Sequence, residues 1–283
     1  MISIFIILFL LLLLFKVVAH VPRWIEISNR PEYIHPEGIV PWLAQLAPGA
    51  LPVLADALST VVIFFIWMGE TPYRWLQRQL GSLLVVRPGD GTPVVLVHGF
   101  FLTPFSMVYL WLRLRAHPAF WGRPLYLLDY HPSLAGIDHF VTQLDALLTG
   151  VSPSRQVDIV AHSMGGLIAA RYIGFHPGRV RRLVTVGTPF AGTRTWALST
   201  GQSLAQMRPG SEFLRETTGH PEFPGATAVT SIYSRFDHVV LPFDSSRLSH
   251  AGVTNIELQG IDHGALLFHP RVAERVVQAL EPA

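Results

Sequence analysis

The sequence predicts an α/β protein: a mostly parallel sheet of about six strands with helices on both faces, preceded by N-terminal membrane helices. Three observations carry this. From about residue 91, short apolar runs rich in Val, Leu and Ile alternate with segments of helical length. Turn-forming residues punctuate them, beginning with the cluster "RPGDGTP". The apolar excess of the whole chain is concentrated before that point.

Each element has its own signal. "PVVLVHG" (93–99) reads as a buried strand, and Thr103 and Pro104 as the N-cap and first residue of a helix reaching about His117. "LYLLDY" (125–130) is the second strand and Ile137 to Leu148 the second helix. "VDIVAH" (157–162) and "MGGLIAARYIGFH" (164–176) form the third pair, and "RRLVTVGTP" (181–189) the fourth strand. A long polar and helical stretch covers about 190–224. "AVTSIYS" (228–234) and "TNIELQG" (254–260) are the last strands, and a closing helix runs from about Pro270 to Leu280.

The front of the chain has a different texture. "MISIFIILFLLLLLFKVVAH" is apolar from Ile2 to Ala19, interrupted chiefly by Lys16, close to the ~20 residues that span a bilayer. Residues 1–20 are therefore expected to be a transmembrane anchor. A cleaved signal peptide is the alternative; it fits less well, because no Lys or Arg precedes the run and "VVAH" is a poor cleavage site. Residues 21–90 form a membrane-proximal segment with a second apolar helix at about 50–69. Pro52 and Asp56 weaken a spanning reading, a carboxylate in lipid being costly. A helix lying at the interface fits equally, and Trp67, Tyr73 and Trp75 suit that boundary. Lys16, Arg23 and Arg30 follow the first segment and Arg74, Arg78 and Arg87 the second, so the basic residues favour neither orientation. Membrane association is expected, and residues 91–283 form the globular domain.

Composition excludes some functions. The chain has 283 residues, of which 50% are hydrophobic and 14% charged. A net charge of +2, with no basic stripe, argues against nucleic acid. Without cysteine there is no disulfide, thiolate nucleophile or thiolate metal site. The histidines lack metalloprotease spacing, so no metal is expected.

The chemistry centres on "VDIVAHSMGGL" (157–167). Ser163 falls between the third strand and the third helix, at the carboxyl edge of a parallel sheet, where ligands bind in such folds. A sharp strand-to-helix turn there demands small residues two positions before and after the serine. Ala161 and Gly165 meet that demand, and Gly166 helps. The stretch resembles the nucleophile elbow of α/β-hydrolases, with Ala in place of the first Gly. "GQSLA" around Ser203 has no strand before it and reads as ordinary helix.

A serine hydroxyl needs a base, and the base an orienting acid, in the chain order Ser, acid, His. Asp237 follows the fifth strand and His263 the sixth. Asp244 and Asp262 compete as acids; the first lies further into its loop, and the second is the chain neighbour of His263. His250 precedes the last strand and His269 sits at a helix start, which suits surface roles. The oxyanion is expected to be held by backbone N–H groups of Met164 and Phe100, with Phe101 as fallback donor. His98 is expected to fix the loop after the first strand rather than to catalyse.

"PVVLVHGF", "VDIVAHSMGG", "SIYSRFDHVV" and "GIDHGALLFHP" resemble the bacterial lipases and esterases with an Ala-x-Ser-x-Gly elbow. "VTVGTPFAGT" and "QMRPGSEFL" are similar to stretches of bacterial triacylglycerol lipases, where the former usually reads Gly-Thr-Pro-His; Phe190 stands in place of that His. The resemblance covers about residues 91–283. It implies an α/β-hydrolase fold, with Ser163, Asp237 and His263 as triad, carboxylic-ester hydrolysis through an acyl-serine, and no organic cofactor. Phe101, Phe105 and Phe190 are expected to bind substrate, with Phe100 and Met164 adding apolar wall. The segment 190–224 combines Trp196, Leu198, Leu204, Met207, Phe213 and Leu214 with Gly201, Pro209 and Gly210, which suits either a lid or an excursion packed on the core. A membrane anchor points to a lipid-like ester. Acyltransferase, thioesterase or phospholipase chemistry on the same triad, or a non-catalytic binding module, are the alternatives.

Overall fold

The computed structural model describes residues 91–132, 134–152, 156–198 and 201–281. The expected membrane anchor and the apolar helix at 50–69 lie outside the described residues. Among those described, no helix is long and apolar enough to cross a membrane.

Six strands form one sheet: β1 (Val94–Val97), β2 (Leu125–Leu128), β3 (Val157–His162), β4 (Val180–Val186), β5 (Ala228–Ser234) and β6 (Thr254–Leu258), in the order β2-β1-β3-β4-β5-β6. Every pairing is parallel, with Val97 opposite Ala161, His162 opposite Val186, and Val186 opposite Ile232. The helices are α1 (Val108–Ala116), α2 (Ile137–Val151), α3 (Met164–Phe175), α4 (Gln202–Gln206), α5 (Glu212–Thr218) and α6 (Pro270–Leu280).

Period-two alternation along the strands divides the core into two layers. Val95, Val97, Ile159, Ala161 and Leu183 face α2 and α3, with Leu204, Phe213 and Leu214 packed into the same layer. Val94, Leu96, Val160, Val184 and Ile232 face α1 and α6. Helix α6 shows why it docks where it does: Val272, Ala273, Val276, Val277 and Leu280 form one apolar stripe. Burying each of its Val and Leu side chains contributes roughly 1.5–3 kcal/mol. Helix α3 is buried on nearly all sides from Met164 to Gly174, since it packs against β3, β4, α2 and α5. At the amino end of β3, the buried Asp158 carboxylate is satisfied by Arg123 and Arg181.

Strand order sets the position of any site. The chain passes from β1 outward to β2, then crosses back beyond β1 to β3. The crevice at the carboxyl ends of β1 and β3 is thus the switch point of the sheet.

Some boundaries differ from the sequence expectation. Strand β1 ends at Val97 because His98 and Gly99 already turn into a loop. The first turn of the helix expected from Pro104 is a 3-10 turn, Pro104–Met107, before α1 begins. Thr103 holds the N-cap position but its side chain caps nothing. Its carbonyl accepts instead from the Ser106 N–H (2.9 Å) and hydroxyl (2.7 Å). Within 190–224, Phe190, Leu204, Met207, Phe213, Leu214 and Phe223 are all buried in the α2–α3 layer.

Candidate active site

Ser163 links β3 to α3 with φ +54° and ψ −126°, a left-handed region that non-glycine residues rarely enter. Two backbone bonds hold it there: its N–H donates to Val186 (2.9 Å) and its carbonyl accepts from Gly166 (3.0 Å). The small residues around it have identifiable reasons. A Cβ on Gly165 would lie 2.5 Å from the His98 carbonyl and 2.6 Å from that of Val97. A Cβ on Gly166 would collide with the Thr188 side chain, and one on Gly99 would lie 2.9 Å from the Ser163 Cβ. Helix α3 therefore approaches β1 so closely that only glycine fits. Because strand backbone cannot yield, Gly165→Ala is expected to destabilise the fold by about 3 kcal/mol or more. Urea unfolding of variant and wild type measures this; an unchanged midpoint would contradict the packing argument.

The loops after β5 and β6 bring Asp237 and His263 together. Nδ1 of His263 donates to Oδ2 of Asp237 at 2.6 Å. The other carboxylate oxygen, Oδ1, accepts the N–H groups of Val239 and Val240, both at 2.8 Å. Asp237 is 1% exposed and His263 7%, comparable to 8% for Ser163. Gly187, at φ +60° just beyond β4, lets the backbone pass beside the pair: a Cβ there would stand 3.2 Å from the His263 Nδ1. His162, next to Ser163 in the chain, packs its ring 4.7 Å from that of His263 and donates from Nε2 to the His263 carbonyl (3.3 Å).

His98 and His162 are both buried. Burial pushes the His98 imidazole down to about 4, against the raising effects of its Gly99 bond and of Asp129. His162 is held well below the usual histidine range, first by burial and then by His263 beside it. Both rings are therefore neutral at pH 7 and add no positive charge next to His263. The His98 ring donates from Nδ1 to the Gly99 carbonyl (2.9 Å) and stacks on Tyr130 at 4.0 Å. The Tyr130 hydroxyl donates to the carbonyls of His98 (2.8 Å) and Gly99 (3.1 Å). This network fixes the loop that carries Phe100.

The remaining expected site residues fall in three environments. Phe100 is half-buried, and Met164 is fully buried at the start of α3, where the first N–H groups of a helix lack intrahelical partners. Phe101 has φ +54° and is 54% exposed, its ring edge-on to Phe100 at 4.7 Å. Phe105 is half-buried in the turn Pro104–Met107. Phe190 is 2% exposed and sits inside the core, 6.4 Å from the Phe223 ring. Of the competing residues, Asp244 is exposed, His250 donates to the Thr218 carbonyl (2.8 Å), and the His269 ring accepts the Arg271 N–H (3.2 Å) at the start of α6. Asp262 is different: it takes the backbone N–H of His263 and pairs with His238. Sequence reasoning missed Tyr130 and His238. Tyr130 ends an apolar run and His238 adjoins the candidate acid, the only signals either offered.

Comparison with known proteins agrees with this architecture. The family model described as "alpha/beta hydrolase fold" matches residues 92–211. Among curated proteins, cis-3-alkyl-4-alkyloxetan-2-one decarboxylase of Shewanella oneidensis is 29% identical over 120 residues, 40% of this chain; the match spans only 38% of that protein's length. Among solved structures, a Bacillus licheniformis lipase in mature form superposes with a TM-score of 0.57 at 17% identity, covering 69% of this chain and 95% of the lipase. A monoacylglycerol lipase of Paleococcus ferrophilus gives 0.53 at 18% identity, covering 67% of this chain and 94% of that one. The chain thus has an α/β-hydrolase fold.

Proposed function

We propose that the protein is a membrane-associated serine hydrolase that cleaves carboxylic esters, lipid-like ones in particular, through an acyl-serine intermediate. The observation that carries the reading is the 2.6 Å bond from His263 to Asp237, on loops that meet beside the Ser163 elbow. An aspartate whose other oxygen is held by two backbone N–H groups can fix one imidazole tautomer. With Nδ1 donating to Asp237, Nε2 of His263 is left as the base.

In the proposed reaction, Nε2 takes the Ser163 hydroxyl proton as Oγ attacks the ester carbonyl. The resulting oxyanion is received by the N–H groups of Phe100 and Met164. Collapse breaks the bond to the alcohol, which leaves with the proton from His263. Water then attacks the acyl-serine, giving its proton to His263, and the carboxylic acid departs as Ser163 regains a proton. Phe101 and Phe105 form the outer apolar wall for the acyl chain, and Phe190 supports it from within the core. The apolar runs at residues 2–19 and 50–69 support attachment to a bacterial inner membrane. The lipase names of structurally similar proteins support the ester class.

The test is a p-nitrophenyl ester series of increasing chain length, assayed on the full chain. We expect kcat/KM to rise toward long acyl chains and a fluorophosphonate to label the protein. Turnover of short esters alone would leave an esterase without lipid preference. No turnover and no labelling would sink the hydrolase reading and favour the binding module.

A further inference from the structure

We propose that His238 and Asp262 form a positioning pair that holds the His263 backbone in register with Ser163. The proposal rests on the serine-hydrolase reading above. Asp237–His238 and Asp262–His263 are two identical dipeptides on neighbouring loops, and their side chains pair crosswise. His263 reaches back to Asp237, while Nδ1 of His238 donates to Oδ1 of Asp262. The same Oδ1 accepts the His263 backbone N–H at 2.5 Å. On the other side of the His263 Cα, its carbonyl accepts from Nε2 of His162 at 3.3 Å. The peptide groups flanking the base are thus gripped by side chains at both ends. One grip leads to the residue beside Ser163, the other to the residue beside Asp237.

Asp262 and His238 are 1% and 5% exposed, so neither side chain is placed to meet substrate directly. A carboxylate this deeply buried is costly unless it is paired and hydrogen-bonded. The His238 Nδ1–H supplies such a bond and fixes where Oδ1 sits, and hence where the His263 N–H is drawn. The Asp262 carbonyl in turn accepts the Leu266 N–H (2.9 Å), which closes the turn behind the base. Loss of the His238 bond frees Asp262 to swing, and His263 shifts relative to the serine. A displacement of about 1 Å in a catalytic group can cost about 10²-fold in rate.

The test compares His238→Asn with His238→Gln in the full chain, using a p-nitrophenyl ester. The Asn amide nitrogen lies close to where His Nδ1 stands, so it can donate to Asp262; the Gln amide is one methylene too far out. Both replacements are polar and uncharged, and thermal unfolding checks that both remain folded. His238→Asn should keep kcat within about two-fold of wild type, while His238→Gln and Asp262→Ala lose about ten-fold or more with KM nearly unchanged. Equal kcat for His238→Asn and His238→Gln would overturn the proposal, as would a loss confined to KM. Wild-type turnover that survives Ser163→Ala would instead sink the serine reading, and the positioning role with it.

Discussion

Ser163→Ala is expected to lower kcat for a p-nitrophenyl ester by about 10⁶-fold, with KM little changed and fluorophosphonate labelling abolished. The size follows from what is removed. Without Oγ there is no atom to form the acyl-enzyme, and His263 has no proton to take. In the proposed mechanism, what survives is the oxyanion site and substrate binding, which alone leave only a small residual rate. The variant isolates chemistry from folding, because the elbow does not depend on the hydroxyl. The turn is held by the Ser163 N–H to Val186 and the Gly166 N–H to the Ser163 carbonyl, both backbone bonds. Ala keeps the Cβ and carries the same strain at φ +54° as Ser. Activity above about 1% of wild type, with the fold intact by circular dichroism, would show that another group is the nucleophile.

The features legible in the sequence are those set by local patterns. Strands β3 and β5 and helix α6 have the bounds that their apolar runs indicate, and two of those bounds have a backbone reason: the positive φ of Ser163 ends β3, and the fixed φ of Pro270 suits a helix start. The elbow is readable because its small residues stand at fixed offsets from the serine along the chain, and the approach of α3 to β1 explains why those offsets must be small. Pairings across space are less accessible. In "FDHVV" and "IDHGA" either aspartate can meet either histidine, and chain order alone favours Asp237 with His263 without showing what the other two do. Their crossed bond depends on how two loops meet, which no periodicity encodes. Phe190 illustrates a similar limit. A phenylalanine beside a glycine-rich loop fits a cleft wall as well as a core, and only the packing of α4 and α5 against the α2–α3 layer puts it in the core.

Asp237→Asn should cost about 10⁴-fold in kcat while leaving the fold intact, a loss out of proportion to a change of one atom. The local geometry makes the reason specific. Oδ1 accepts two backbone N–H groups, from Val239 and Val240, and an amide NH₂ cannot accept either. The carbonyl oxygen of the introduced amide must therefore occupy the Oδ1 position, which turns its NH₂ toward His263. Facing a donor, Nδ1 of His263 becomes an acceptor, and the proton of the neutral imidazole moves to Nε2. The base now points a hydrogen, not a lone pair, at Ser163. Asp237→Ala removes the acid but does not impose the wrong tautomer, so at the same pH it should retain more activity than Asp237→Asn. It should also lose more stability, because the Val239 and Val240 N–H groups lose their acceptor at a cost of about 1–3 kcal/mol each where buried. Measuring kcat and the urea midpoint for both variants separates the two effects. If Asp237→Asn keeps kcat within about ten-fold of wild type, Asp237 is not the residue that orients the base, and Asp262 becomes the acid to test next.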